Sequence, residues 1–148
     1  MTATTNLATP VTTATAPAAL TLDPQVRAWL RLEGLAAFVV GAAVFARLGG
    51  EWIWFVPALL LVDVSMVGYL RGPRLGALTY DLAHNWAVGL GVLGLGLALV
   101  IPVATLAGAV LVAHTGADRA LGYGLKLGTS FRDTHLGSIG RDATTHRK

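Results

Sequence analysis

Long apolar runs separated by short turns are the feature that most limits how this chain can fold. After Arg27 the sequence contains four such runs, each near the roughly 20 residues that about 30 Å of hydrocarbon requires. They cover residues 29–48, 52–70, 75–101 and 103–123. With 54% hydrophobic and 13% charged residues in 148, the composition is also too apolar for an ordinary soluble domain. The sequence therefore predicts an all-α integral membrane protein folded as a four-helix bundle.

The boundaries of this bundle follow from proline positions and from composition. The turn "RGPR" ends the second run, because Pro73 disfavours helix in the residue before it. Pro102 separates the last two runs, which as one fused helix would be too long for a bilayer. We predict a disordered tail over residues 1–24, the four spans within 25–124, and a polar tail over 125–148. A short interfacial helix is expected around residues 130–139.

The placement of the basic residues predicts the orientation of the spans. If four helices cross the membrane, both termini and the "RGPR" turn lie on one side, which then holds ten of the 11 Lys and Arg residues. Only Arg47 falls on the opposite side. Basic residues concentrate on the cytoplasmic side of membrane proteins. We therefore expect a multi-pass protein of the inner membrane with both termini in the cytoplasm.

The same composition narrows the classes of function. The chain has no cysteine, which excludes thiolate metal sites and cysteine nucleophiles. Its formal net charge of +3 arises from basic residues placed between apolar runs, whereas a nucleic-acid site needs them along one polar face. The expected surroundings are the lipid bilayer, with no nucleic-acid partner, and homo-oligomerisation is left open.

Ionisable residues within the apolar runs are the candidate functional groups. At 1.5 Å per residue, they lie roughly 8 to 14 Å inside the cytoplasmic ends of three runs. They are Asp63, Asp81, His84, His114 and Asp118. An ionised aspartate facing lipid at a helix centre costs about 2.5 to 3.5 kcal/mol, so these groups should turn toward the bundle interior. The sequence thus predicts one shared polar site in the cytoplasmic half.

Spacing within each run supports a common direction for these side chains. Tyr80 and His84 are four residues apart, as are Asp81 and Asn85, and such pairs lie on one helix face. His114 and Asp118 have the same spacing.

Imidazole and carboxylate groups on facing helices are suitable ligands for a divalent metal ion. We predict a metal site made by Asp63, His84, His114 and Asp118, with His84 and Asp63 also as candidate catalytic residues. Basic residues near the headgroups could receive a lipid or other phosphate-bearing ligand. The wider set of ligand-binding candidates is Arg71, Arg74, Arg119, Lys126, Tyr80, Asp81, Asn85 and His135.

Three functions fit this pattern, and the residues alone leave the choice open. The first is metal-assisted hydrolysis of a lipid or amphipathic phosphate, with the metal activating a water molecule. The second is proton-linked transport or a proton relay, since His and Asp chains in bilayers also serve pumps. The third is a structural protein whose Asp, Arg and His residues form an ion-pair lock between helices.

Two long motifs resemble a known family. "VDVSMVGYLRGPRLGALTYDLAHN" at 62–85 and "AHTGADRALGYGLKLGTSFRDTHLG" at 113–137 are similar to the bacterial membrane family catalogued as domain of unknown function 4260. The resemblance covers residues 30–137. It implies a small four-span protein of the inner membrane and brings no established activity. A more distant similarity to integral-membrane metal-dependent hydrolases, in the pattern of Asp and His over several helices, carries no residue assignment.

Overall fold

The computed structural model describes residues 22–140 and contains five α-helices in that range. They are α1 Pro24–Arg47, α2 Trp52–Val62, α3 Pro73–Ala83, α4 Trp86–Ala98 and α5 Pro102–Leu121. A 3₁₀ segment, Asp63–Arg71, continues directly from α2. Two short strands, β1 Asp133–Thr134 and β2 Gly137–Ser138, pair in antiparallel register. The predicted all-helical class is confirmed for this part of the chain.

Helix α5 is the central element, and α1 and α4 pack closely along it. Small residues permit this approach: a Cβ added at Gly34 would lie 2.6 Å from the backbone nitrogen of Ala120, and one at Gly41 would lie 2.7 Å from that of Ala113. Interfaces of this kind let helix backbones come together in proteins that cross membranes. α2 contacts α5 much more sparingly, around a core that includes Phe45, Phe55 and Val110.

The third apolar run is not one helix, as the sequence predicted, but two. α3 ends at Ala83, and His84 follows with φ −107° and ψ 27°. Asn85 then caps α4, because its side-chain oxygen accepts a hydrogen bond of 2.8 Å from the backbone N–H of Ala87. Asparagine is among the residues most favoured at this cap position. The expected four-helix bundle is therefore a five-helix arrangement in the described residues.

Two helical stretches are long and apolar enough to cross a membrane. They are Pro24–Arg47, with mean hydropathy 1.6, and Trp52–Arg71, with mean hydropathy 1.9. α4 is also apolar but shorter. Large apolar side chains such as Ile53, Leu70 and Val103 lie exposed on the outer surface.

The tails differ from the prediction where they can be compared. The helix expected around residues 130–139 is replaced by the β1–β2 hairpin. The reason is local: Thr134 Oγ1 donates to the Gly137 carbonyl at 2.6 Å, and Gly137 has a φ of 112°, which suits a tight turn. Residues 1–21 of the predicted N-terminal tail lie outside the described residues. Residues 141–148 of the predicted C-terminal tail also lie outside them.

The turn between α4 and α5 contains a strained residue. Val100 has a φ of 54° and is 84% exposed. The N–H of Val100 donates to Leu97 O at 3.3 Å, and that of Ile101 donates to Gly96 O at 2.8 Å. These two bonds define the helix-terminating motif in which glycine usually takes the left-handed position. A β-branched residue there is a genuine outlier.

We expect Val100→Gly to stabilise the protein by about 1 kcal/mol, because glycine adopts this backbone conformation without strain. Thermal unfolding of the protein in detergent measures the effect. Val39→Gly is the matched control, since Val39 is exposed in the ordinary helical backbone of α1. That change should lower stability by about 1 kcal/mol. A lower melting temperature for Val100→Gly would contradict the assigned strain.

Candidate metal centre

Four ionisable side chains from three elements meet inside the protein. The 3₁₀ segment supplies Asp63, the end of α3 supplies His84, and α5 supplies His114 and Asp118. Asp63 Oδ1 lies 3.4 Å from the Nε2 atoms of both histidines, and the two Nε2 atoms are 3.0 Å apart. We call Asp63, His84 and His114 the cluster, and each of them places a ligand atom within 4.8 Å of the others. The two histidines are 30 residues apart in sequence, so the fold is what brings them together.

The cluster is shielded from solvent on most sides. His84 is fully buried and His114 is 7% exposed. The side chain of Asp63 is 38% exposed, so the cluster is open on that side.

Local structure holds the His84 ring in one orientation. Its Nδ1–H donates to the backbone carbonyl of Tyr80 at 2.8 Å, and the Tyr80 ring stacks on it at 3.7 Å with an interplanar angle of 12°. With the proton on Nδ1, the lone pair of Nε2 points into the cluster. A metal-ligating histidine almost always donates its other ring N–H in this way, to a carbonyl or a carboxylate.

Asp118 lies beside the cluster and is held by Tyr80. The Tyr80 hydroxyl donates to Asp118 Oδ2 at 2.6 Å. That oxygen is 3.7 Å from His84 Nε2, while Oδ1 is 3.9 Å from His114 Nε2. The spacing of four residues between His114 and Asp118 on α5 therefore brings both side chains to one place.

The geometry of the cluster suits a small divalent cation. Four ligand atoms at about 2.0 Å from a tetrahedral zinc ion are separated from one another by about 3.3 Å. The separations among Asp63 Oδ1, His84 Nε2 and His114 Nε2 are 3.0, 3.4 and 3.4 Å. Asp118 lies slightly farther out. Three ligands with a fourth position left for water is the arrangement typical of catalytic zinc sites.

Among the described residues, Arg119 makes no direct ion pair with the carboxylates of this site. Its guanidinium donates to the backbone carbonyls of Tyr123 at 2.6 Å and His84 at 3.3 Å. Cations favour helix C-termini, where carbonyls lack helical partners, so Arg119 stabilises the ends of α5 and α3. Within residues 22–140, neither Asp63 nor Asp118 forms an ion pair within 4.0 Å with Arg71, Arg74 or Arg119. The Asp–Arg contacts required by an ion-pair lock are thus not formed in this part of the chain.

Other predicted ligand-binding residues lie in local structure away from the cluster. Asp81 Oδ1 accepts from the backbone N–H of Lys126 at 2.7 Å, and Asn85 caps α4. The Nζ of Lys126 donates to Phe131 O at 2.8 Å. Lys126 is buried, and this burial lowers the pKa of its ammonium group. His135 Nδ1 accepts from the Leu125 N–H, and burial lowers the pKa of that imidazole.

A basic cavity at the end predicted to be cytoplasmic includes two residues that the sequence reasoning missed. Arg27, Arg31 and Arg119 line a cavity of about 70 Å³. Arg31 also donates to Leu121 O at 3.0 Å, at the end of α5. The four-residue spacing of Arg27 and Arg31 on α1 is the signal in the sequence that could have found them. Neither residue interrupts the middle of an apolar run, whereas the candidate functional groups predicted from the sequence all lie within such runs.

These observations define a small helical protein with a buried His and Asp cluster, enclosed by apolar helices. The chain belongs to the family described as domain of unknown function (DUF4260), which matches residues 27–139. This confirms the resemblance inferred from the two motifs. No curated protein and no solved structure matches the chain.

The contact made by Asp81 generates a prediction. Asp81→Asn should leave stability within about 0.5 kcal/mol of the original, because an amide oxygen can also accept the Lys126 N–H. Asp81→Leu should lower the free energy of unfolding by about 1 to 3 kcal/mol, since a partly buried N–H loses its acceptor. Thermal unfolding in detergent distinguishes the two variants. Equal melting temperatures for the two variants would show that this hydrogen bond does not contribute to stability.

Proposed function

We propose that this protein is a multi-pass inner-membrane protein that binds a divalent metal ion, most suitably Zn²⁺, at Asp63, His84 and His114. We further propose that it uses the metal to hydrolyse an ester or phosphate bond of an amphipathic molecule. The observation that carries the proposal is the convergence of two Nε2 atoms and one carboxylate oxygen at separations of 3.0 to 3.4 Å.

The membrane part of the proposal draws support from exposed apolar surface and from charge placement. Only 17% of the apolar window in Pro24–Arg47 and 11% of that in Trp52–Arg71 is buried inside the protein. Core helices of soluble proteins bury such surface, whereas spanning helices present it to lipid. α3 and α4 together form the third span, with its break at His84. Breaks of this kind are tolerated at membrane depth where they lie within protein and line a site.

The metal part rests on the balance of donors and acceptors. His84 directs an Nε2 lone pair into the cluster, and the Asp63 carboxylate can only accept. Neutral imidazoles and carboxylates that face one another in a shielded site are the ligand set of zinc enzymes. A bound cation would satisfy all three ligand atoms at once.

The chemistry follows from the open position beside Asp118. A zinc ion lowers the pKa of a bound water to near 7 and polarises a carbonyl or phosphoryl oxygen. Asp118 is placed to accept the proton of that water, and the Tyr80 hydroxyl holds its carboxylate in position. The hydroxide oxygen would then form the new bond to carbon or phosphorus as the bond to the leaving oxygen breaks. Asp118 returns the proton to that oxygen, so the net reaction consumes one water.

Elemental analysis of detergent-purified protein tests the site directly. We expect about one equivalent of zinc per chain, because a fixed three-ligand set binds the ion stoichiometrically. His114→Ala and Asp63→Asn should each reduce the zinc content to less than about a tenth. Matched controls are His135→Ala and Asp23→Asn, which change the same residue types outside the cluster and should retain the metal. Folded wild-type protein without metal would overturn the proposal.

Asp118→Asn separates metal binding from catalysis. We expect this variant to keep its zinc while hydrolysis falls by about 10² to 10⁴-fold, the range for loss of a general base. Long-chain p-nitrophenyl esters and phosphodiesters in mixed micelles serve as probes. The Asp81→Asn protein is the activity control, since Asp81 lies outside the cluster. Loss of zinc from Asp118→Asn would instead make Asp118 a ligand and refute its role as base.

A proton relay is the second candidate, and the contact of 3.0 Å between the two histidines favours it. Asp63, His114, His84, Asp118 and Tyr80 form a continuous series of polar contacts. A relay requires protonation changes and no metal. Metal-free protein that carries a proton flux in liposomes, abolished by His114→Gln, would support it.

A further inference from the structure

An apolar groove of about 630 Å³ runs along the surface between α2 and α5. Ala58 and Leu61 line it on α2, and Val103, Leu106 and Ala107 line it on α5. Its volume falls within the range of about 300 to 1,000 Å³ typical of ligand pockets. The groove exists because α2 packs sparingly against α5, whereas α1 and α4 pack closely.

The groove passes residues that are chain neighbours of the cluster. Val62 and Val64, which line it, flank Asp63 in the chain, and Ala83, which also lines it, precedes His84. Asp63 is 38% exposed while both histidines are buried, so the cluster is open on the side of Asp63. A molecule lying in the groove therefore lies beside the chain segments that carry Asp63 and His84.

An unpaired hydroxyl marks the same end. Ser65 lines the groove, and its Oγ is buried without a hydrogen-bond partner among residues 22–140. Buried polar groups in native proteins nearly always have a partner, and one without needs an explanation. The Oγ atom has almost no exposed surface, so the hydroxyl lies within the wall of the groove next to Asp63.

The groove runs along α5, in the direction that a hydrocarbon chain takes in a bilayer. From Val103 to Leu111 it follows α5 for about 12 Å, at 1.5 Å per residue, toward the end where the cluster lies. In the proposed orientation this places the polar end toward the cytoplasm and the apolar end toward the outer face. Arg71 and Arg74 lie where the 3₁₀ segment ends and α3 begins, outside the lining of the groove.

We infer that the groove binds the hydrocarbon chain of a membrane lipid, with its ester or phosphate group at Asp63, His84 and His114. This inference rests on the proposed metal site and names its substrate class. A helix from a second copy fits less well, because apolar surface over the open side of the cluster would leave the fourth position of the proposed metal without water or a polar ligand. An amphipathic molecule places a polar group there instead.

The test uses a long-chain hydroxamic acid that carries a diazirine near its methyl end, in liposomes of phosphatidylglycerol and phosphatidylethanolamine. A hydroxamate binds zinc, and the diazirine cross-links whatever surrounds the chain end. The matched probe is the primary alcohol of the same length. We expect the hydroxamate to label groove peptides of α2 and α5 about tenfold more than the alcohol, a difference of about 1.4 kcal/mol. Equal labelling by both would overturn the inference.

Two alanines provide the variants. Ala107→Trp fills the groove and should reduce hydroxamate labelling about tenfold, while Ala43→Trp, on α1 outside the groove, should leave it unchanged. Both should keep their zinc by elemental analysis. If the Ala107→Trp protein contains zinc and is labelled as strongly as the wild type, only the groove assignment is overturned. If the wild type contains no metal, the proposed function is overturned as well.

A second copy as occupant is tested separately. The chain has no cysteine, so Ala107→Cys introduces a unique thiol in the groove. Efficient disulfide cross-linking between two chains in membranes would show that a second copy covers the groove, and this result would refute the inference. Failure to cross-link, together with hydroxamate labelling, supports the lipid.

Discussion

The need of buried polar groups for partners inside an apolar helical protein is the constraint on which this structure depends. His84 and His114 are buried, so their ring nitrogens find Asp63, the Tyr80 carbonyl and each other. An isolated buried charge or unpaired polar group costs several kcal/mol, more than most single apolar contacts contribute. The position of the 3₁₀ segment against α5 is thereby tied to the cluster, in a region where apolar packing between α2 and α5 is loose.

Backbone irregularity coincides with the cluster residues Asp63 and His84. The α-helix changes to 3₁₀ geometry at Asp63, and α3 ends next to His84. Long 3₁₀ stretches are uncommon because their hydrogen bonds are poorer, and they often mark functional positions. The break at His84 leaves a carbonyl at a helix end, to which Arg119 donates from α5. The same arginine thus allows the break and leaves the carboxylates free for other partners.

The sequence correctly predicted that side chains meet where helical spacing determines their positions. His114 and Asp118 share a face of α5 because they are four residues apart, and Asp63 meets them because its run places it at a similar depth. The prediction failed where local hydrogen bonds decided it. Asn85 satisfies the backbone of α4 and so divides the third run, and Asp81 binds the Lys126 N–H in a segment 45 residues away. No periodicity in the sequence predicts the contact between Asp81 and Lys126, because it depends on the path of the chain after α5.

The proton count in the cluster distinguishes its two states. With Nδ1–H of His84 donated to Tyr80 O, Nε2 of His84 is an acceptor, as is Asp63. A neutral His114 that is protonated on Nε2 has one hydrogen to share between these two acceptors. Its Nε2 lies 3.0 Å from His84 Nε2 and 3.4 Å from Asp63 Oδ1. One acceptor is therefore underused, and only a second proton or a cation satisfies both. A proton there would make one histidine a cation and give both Nε2 atoms a hydrogen to donate, whereas a metal ion would displace that proton and use all three ligand atoms. If the cluster binds a metal as proposed, the competition between the two would make metal affinity fall as the pH falls, and a metal-binding titration between about pH 8 and about pH 5.5 would reveal it.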